Sequence, residues 1–218
     1  MSETGSVKFS CDQVPAKIAS FAGFKELNRC RRKLIDLGMV GIDPNGVGFG
    51  NLSVRDGATS AFYITGSGTG GIADLAPADF SRVLACDFAR NWLRCEGARI
   101  ASSESLTHAA VYQSDPNARA VIHCHDLKLW KEFLASNNVL ATPKGAAYGT
   151  PELAYAVQRL FQTTDVKDQK IFVMTAHEGG LIAFGNTMAE AFAVLMQHFT
   201  PGEATAVSGD RPLPRRSS

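Results

Sequence analysis

The 218-residue sequence has no extended run of like charge, no CxxC spacing among its five cysteines and no apolar window near the roughly 18 residues that cross a bilayer. Each absence removes a class of function. With 22 Lys and Arg against 21 Asp and Glu, the formal net charge of +1 offers no electrostatic footprint for nucleic acid or an anionic membrane, so any basic site must be local. An odd number of cysteines without paired spacing fits free thiols in a reducing compartment better than a disulfide framework. The opening MSETGSVKFS lacks the positive start and apolar stretch of a secretory signal. A cytoplasmic protein with no nucleic acid or membrane partner is expected.

What is present suits a packed domain. With 45% hydrophobic residues the chain can bury a substantial core, and its length fits one domain. Neither an internal repeat nor an interdomain linker is apparent. Residues 1–15 read as a flexible N-terminus and residues 16–199 as the folded domain. Residues 200–218, rich in Pro, Gly, Ser and Arg without apolar periodicity, read as a disordered tail.

Along the folded part, Phe21, Phe24, Leu27, Cys30, Leu34 and Leu37 recur at helical steps until Gly38 and Gly41 stop them. Arg31, Arg32 and Lys33 on that helix are expected to form a solvated face. Residues 51–55 and 60–65 read as strands joined by an Asp56-Gly57 hairpin. Residues 81–97 fit a helix or a hairpin about residues 89–91, and their β-branched and aromatic content favours the hairpin. Helices are expected over residues 103–113, with Leu106, Ala109, Ala110 and Tyr112 inward, and over residues 127–136. A further helix starts at Thr150 and Pro151, and another follows a capping box of Thr187 and Glu190. Strands are expected at AVIHCH, IFVMTA and LIAF.

Gly66, Gly68 and Gly71 satisfy GxGxxG, but IADLAP runs into Pro77 where a dinucleotide fingerprint would open a helix, so that reading is rejected. The turn either presents backbone N–H groups to a phosphate, helped by the hydroxyls of Ser67 and Thr69, or is an ordinary flexible turn. The chain is arranged around residues 99–126, RIASSESLTHAAVYQSDPNARAVIHCHD. Strand alternation in AVIHCH points His123 and His125 one way and Cys124 the other. Two imidazoles on one face are either half of a metal site or two histidines that happen to be two apart. His177, in a turn with Gly179 and Gly180, is a third histidine at the end of a strand. His108 and His198, in helices, read as structural, and Glu104 at a helix start either complements the dipole or does chemistry.

These residues carry a resemblance. The chain resembles the class II aldolase/adducin family through six motifs in order: GNLSVR at residues 50–55, ITGSGT at 64–69, SSE at 102–104 with His108 and Tyr112 behind, AVIHCH at 120–125, YGTPEL at 148–153, and His177 with GLIAFG after it. The resemblance implies an α/β fold, a single domain with a central, mainly antiparallel sheet flanked by helices. It implies zinc, or manganese or cobalt in its place, on His123, His125 and His177, with Glu104 as catalytic acid/base. Asn51, Ser67, Gly68, Ser102 and Ser103 would hold a substrate phosphate. The implied reaction is zinc-dependent, reversible cleavage of a phosphorylated ketose to dihydroxyacetone phosphate and an aldehyde, in a homotetramer. A sugar-phosphate epimerase, dehydratase or decarboxylase would use the same site. The short loop before YGTPEL and a tail without tyrosine depart from the family where it handles the aldehyde, and Glu178 follows the metal histidine where a second histidine is commoner.

Overall fold

Periodicity in the sequence becomes two layers of helices around one sheet. The computed structural model describes residues 7–136 and 138–199. In chain order the elements are β1 (Ser10–Val14), α1 (Phe24–Asp36), β2 (Gly41–Ile42), β3 (Gly48–Phe49), β4 (Asn51–Arg55), β5 (Phe62–Thr65), β6 (Phe80–Asp87), β7 (Trp92–Glu96), α2 (Ser105–Ser114), β8 (Ala120–His125) and α3 (Leu127–Ser136). They continue with β9 (Leu140–Ala141), α4 (Pro151–Thr163), α5 (Val166–Gln169), β10 (Ile171–Val173), β11 (Gly180–Gly185) and α6 (Met188–His198).

Nine strands form one sheet in the order β1-β7-β6-β5-β4-β8-β11-β10-β9, while β2 and β3 pair separately. The outermost pairs, β1 with β7 and β9 with β10, are parallel, and every other pair is antiparallel. This is the mainly antiparallel α/β architecture expected. Strand alternation sorts β8 between the two layers. Val121 packs with Leu106, Ala109, Leu153 and Val157 of α2 and α4, whereas Ala120, Ile122 and Cys124 pack with Leu27 and Leu34 of α1 and with Leu195 of α6.

The hairpin reading of residues 81–97 holds, as β6 and β7. Helix α1 ends as its glycine foretold: Gly38 takes φ 70°, and Met39 N–H returns to the Leu34 carbonyl at 2.8 Å. Two expectations need correction. Residues 10–14, read as frayed, are strand β1, anchored where the buried ring of Phe9 and the partly buried Val7 and Cys11 join the core. Their period-two spacing was the available signal. Arg31 is not on a solvated face: it is 1% exposed, whereas Arg32 and Lys33 are exposed. It falls on the same stripe as Leu27 and Leu34, and its guanidinium is satisfied by backbone carbonyls. The flexible reading of residues 1–6 and the disordered reading of residues 200–218 fall outside the described residues.

Candidate active site

Strand register assembles the site from distant parts of the chain. In the sheet Asn51 on β4 lies opposite His123 on β8, and His125 lies opposite Gly180 at the start of β11. His177 precedes β11 by one tight turn, in which Gly180 N–H bonds back to the His177 carbonyl at 2.8 Å. A Cβ on Gly180 would come within 2.7 Å of the His177 ring carbon Cδ2 and 2.9 Å of its carbonyl oxygen, so only glycine lets this imidazole fold over the strand.

The three imidazoles converge through Nε2. That atom of His125 lies 3.2 Å from Nε2 of His123 and 3.0 Å from Nε2 of His177. His123 Nδ1 is 3.1 Å from the Leu181 carbonyl, an acceptor only, so Nδ1 carries the proton and Nε2 keeps a lone pair for the cluster. Burial, first of all, holds the rings neutral: it depresses His123 well below its ordinary value, His125 to about 4 and His177 to about 3. Three neutral nitrogen donors crowded in this way, with one tautomer fixed from behind, fit a divalent cation as ligands.

Glu104 stands at the N-terminal edge of α2 rather than in its first turn, and it is 1% exposed. Burial pushes its carboxyl up to about 7 against the pull of the hydrogen bond that Thr107 Oγ1 donates to Oε2 at 2.8 Å. Its Oε1, also buried, has no partner among the described residues. One turn on, His108 is fully buried with Nδ1 2.7 Å from Ser53 Oγ, which is itself 2.7 Å from the Tyr112 hydroxyl. His198, the other histidine read as structural, is exposed at the end of α6 with its ring edge-on to Phe133.

Glu104, the three histidines, Asn51 and Ser103 line one cavity of about 840 Å³. Asn51 and Ser103 also line an adjoining cavity of about 380 Å³, whose walls include Ser67, Gly68 and Ser102. All five residues expected around a phosphate therefore share one wall. The glycine-rich turn there is constrained by packing: a Cβ on Gly70 would meet the Gly41 carbonyl oxygen at 2.3 Å. No helix follows the turn before the short 3-10 segment Pro77–Asp79, in keeping with rejection of a dinucleotide site.

Sequence reading missed Lys8, which lines the larger cavity with its Nζ 3.8 Å from the Tyr148 ring centroid. Glu178 lines the same cavity and is exposed.

The model of the Class II Aldolase and Adducin N-terminal domain matches residues 25–198. The chain belongs to the class II aldolase and adducin family. Among solved structures, an L-fuculose 1-phosphate aldolase aligns with a TM-score of 0.62 at 23% identity, over 83% of this chain and 82% of that one. A sugar-phosphate aldolase from Thermotoga maritima aligns with a TM-score of 0.60 at 15% identity, over 81% and 90% of the two chains. An L-fuculose-1-phosphate aldolase from Thermus thermophilus aligns at 0.54 and 22% identity, over 80% and 88%. At these identities the likeness establishes the class II aldolase fold. A sequence search of curated proteins finds no match. Among the described residues no helix is long and apolar enough to cross a membrane.

Proposed function

We propose that this class II aldolase family member is a metal-dependent carbon–carbon lyase that reversibly cleaves a phosphorylated ketose to dihydroxyacetone phosphate and an aldehyde. The observation that carries the reading is the placement of one buried carboxyl, Glu104, on the same cavity wall as three converging neutral imidazoles, beside a smaller cavity lined by hydroxyls and glycines. His123, His125 and His177 hold the cation, zinc first, with manganese or cobalt as substitutes. When bound it supplies Lewis acidity to the ketose carbonyl and stabilises the negative charge that bond cleavage leaves behind.

Cleavage breaks the bond between carbons 3 and 4 of the ketose. The electron pair passes into the carbonyl system as an enediolate, and carbon 4 becomes the aldehyde as its hydroxyl proton passes to water. Glu104 returns a proton to carbon 3 to complete dihydroxyacetone phosphate, and removes that proton in the synthetic direction. A carboxyl whose pKa is raised to about 7 can do both near neutrality. Asn51, Ser67, Gly68, Ser102 and Ser103 anchor the phosphate and so fix the three-carbon half against Glu104. We place the enzyme in the cytoplasm as a homotetramer, the closed symmetry being ordinary for soluble oligomers. Light scattering that gives a fully active monomer would refute the assembly.

The test is a panel of phosphorylated ketoses offered to the zinc-loaded full chain, scored for release of dihydroxyacetone phosphate. Release that depends on the metal is expected. Inversion of a hydroxyl, loss of water or loss of carbon dioxide in its place would reassign the reaction to an epimerase, dehydratase or decarboxylase.

A further inference from the structure

Among the described residues the smaller cavity has no lysine or arginine on its wall, yet a phosphate carries close to two negative charges. The nearest structural answer is Arg31, which sits behind the glycine-rich turn. Its Nη2 donates to the carbonyls of Thr69 at 2.7 Å and Gly70 at 3.3 Å, and its Nη1 to those of Ile72 at 2.5 Å and Ala73 at 3.3 Å. The side chain is 1% exposed, and no carboxylate pairs with it among the described residues. Asp79, the acid that acts on it from a distance, is engaged by Arg99 at 2.9 Å. A buried cation that lacks a counter-charge is costly, and packing alone would be served by an apolar residue.

Peptide geometry links this cation to the cavity. A trans peptide sets its N–H opposite its C=O, and no peptide bond in the described chain is cis. By drawing in the carbonyls of Thr69 and Gly70, the guanidinium turns the N–H groups of Gly70 and Gly71 away from itself. Gly70 lines the cavity, and among the described residues its N–H donates to no protein acceptor. The clamp has little slack, because Gly70 already abuts the backbone at Gly41 and Gly48. We propose that Arg31 is a positioning residue for the substrate phosphate: from behind the turn it orients the Gly70 N–H as a donor and supplies the positive charge that the cavity wall lacks.

The inference rests on the phosphate reading of this cavity, and the test separates the two. Inorganic phosphate is titrated into the full chain and into Arg31→Lys and Arg31→Gln, with metal content measured alongside, and the Gly70 amide is followed by nitrogen-15 NMR in the unmodified chain. The Gly70 amide resonance is expected to move on saturation. Arg31→Lys keeps the charge but cannot span four carbonyls, and should bind phosphate several-fold more weakly. Arg31→Gln should lose about tenfold or more, the scale of one charge acting through a few ångströms of protein. Metal content should not change in either. Unaltered phosphate affinity in Arg31→Lys, or a Gly70 amide that stays put at saturation, overturns the role of Arg31 while leaving the phosphate site intact. These two readings decide the matter even if Arg31→Gln does not fold. Failure of the unmodified chain to bind phosphate removes the phosphate reading, and this inference with it.

Discussion

Replacing Glu104 by Gln should weaken catalysis and, above neutral pH, relieve the fold. The amide cannot carry a proton, so turnover is expected to fall by about 10²-fold or more, the usual scale for a positioned acid/base. The stability effect follows from burial. Glu104 is raised from 4.5 to about 7 in the folded protein, so the unfolded chain ionises first as pH rises. The folded state is therefore fully favoured below pH 4.5, and this advantage is lost between pH 4.5 and about 7. Once the group is ionised the cost approaches about 3 kcal/mol, most of which develops between about pH 5 and about pH 8. The glutamine side chain does not titrate. In metal-free protein, urea unfolding of the unmodified chain and of Glu104→Gln should give a stability difference that moves by about 2 kcal/mol in favour of the variant from about pH 5 to about pH 8. Constant costs, such as a buried amide N–H without an acceptor, cancel between the two pH values. A difference that does not change with pH would refute the buried, raised carboxyl, and full turnover in a zinc-loaded variant would refute its catalytic role.

His177→Ala leaves two imidazoles, and metal content after dialysis against buffered zinc should fall from about one ion per chain to less than about a tenth, whereas a metal content equal to that of the unmodified chain would remove His177 from the ligand set. In metal-free Glu104→Gln, which removes the opposing carboxyl, melting temperature should drop as pH falls below 6.5, because burial keeps His125 near 4 and His177 and His108 near 3 while the unfolded chain takes up protons. A flat melting profile from about pH 7 to about pH 5 would contradict that burial. Ser53→Ala strips one hydroxyl from both His108 Nδ1 and the Tyr112 hydroxyl, each 2.7 Å away, and should cost about 1–3 kcal/mol in chemical denaturation. A neutral substitution would mean that water replaces the hydroxyl at no cost.

Much of this molecule was legible where a local rule governs the outcome. Alternation in AVIHCH fixes which side of the sheet His123, His125 and Cys124 occupy, and the Gly38 stop follows from conformational freedom. Where partners come from elsewhere in the chain, local rules misled. Arg31 lies in an RRK run that looks solvated, although its spacing from Leu27 and Leu34 placed it on the buried stripe; carbonyls about 40 residues downstream decide its fate. Thr150 does mark the start of α4, but its hydroxyl donates to the Ala147 carbonyl at 2.8 Å and accepts from no N–H of the helix. At the head of α6, Thr187 accepts from Glu190 N–H as the spacing indicates, while the Glu190 carboxylate turns to Lys170 and the Asn186 N–H and leaves half of the box unmade. Glu104 is readable as the start of a helix. Its surroundings, a cavity wall shared with Lys8, Tyr148 and His177, come from distant parts of the chain that no window of sequence reports.

The register that sets Asn51 beside His123 and Gly180 beside His125 also fixes how this gene can vary in length. Adding one codon between His123 and His125 would send one imidazole through to the α1 and α6 side. One codon added between Gly180 and Ile182 would displace His177 from the pair by a strand step of about 3.3 Å. The hairpin tip at residues 56–60 answers to no such constraint, because its exposed residues 57–60 lie beyond the last paired positions of β4 and β5. Lineages of this protein should therefore gain and lose residues at that tip, while the three central strands keep their length through long divergence.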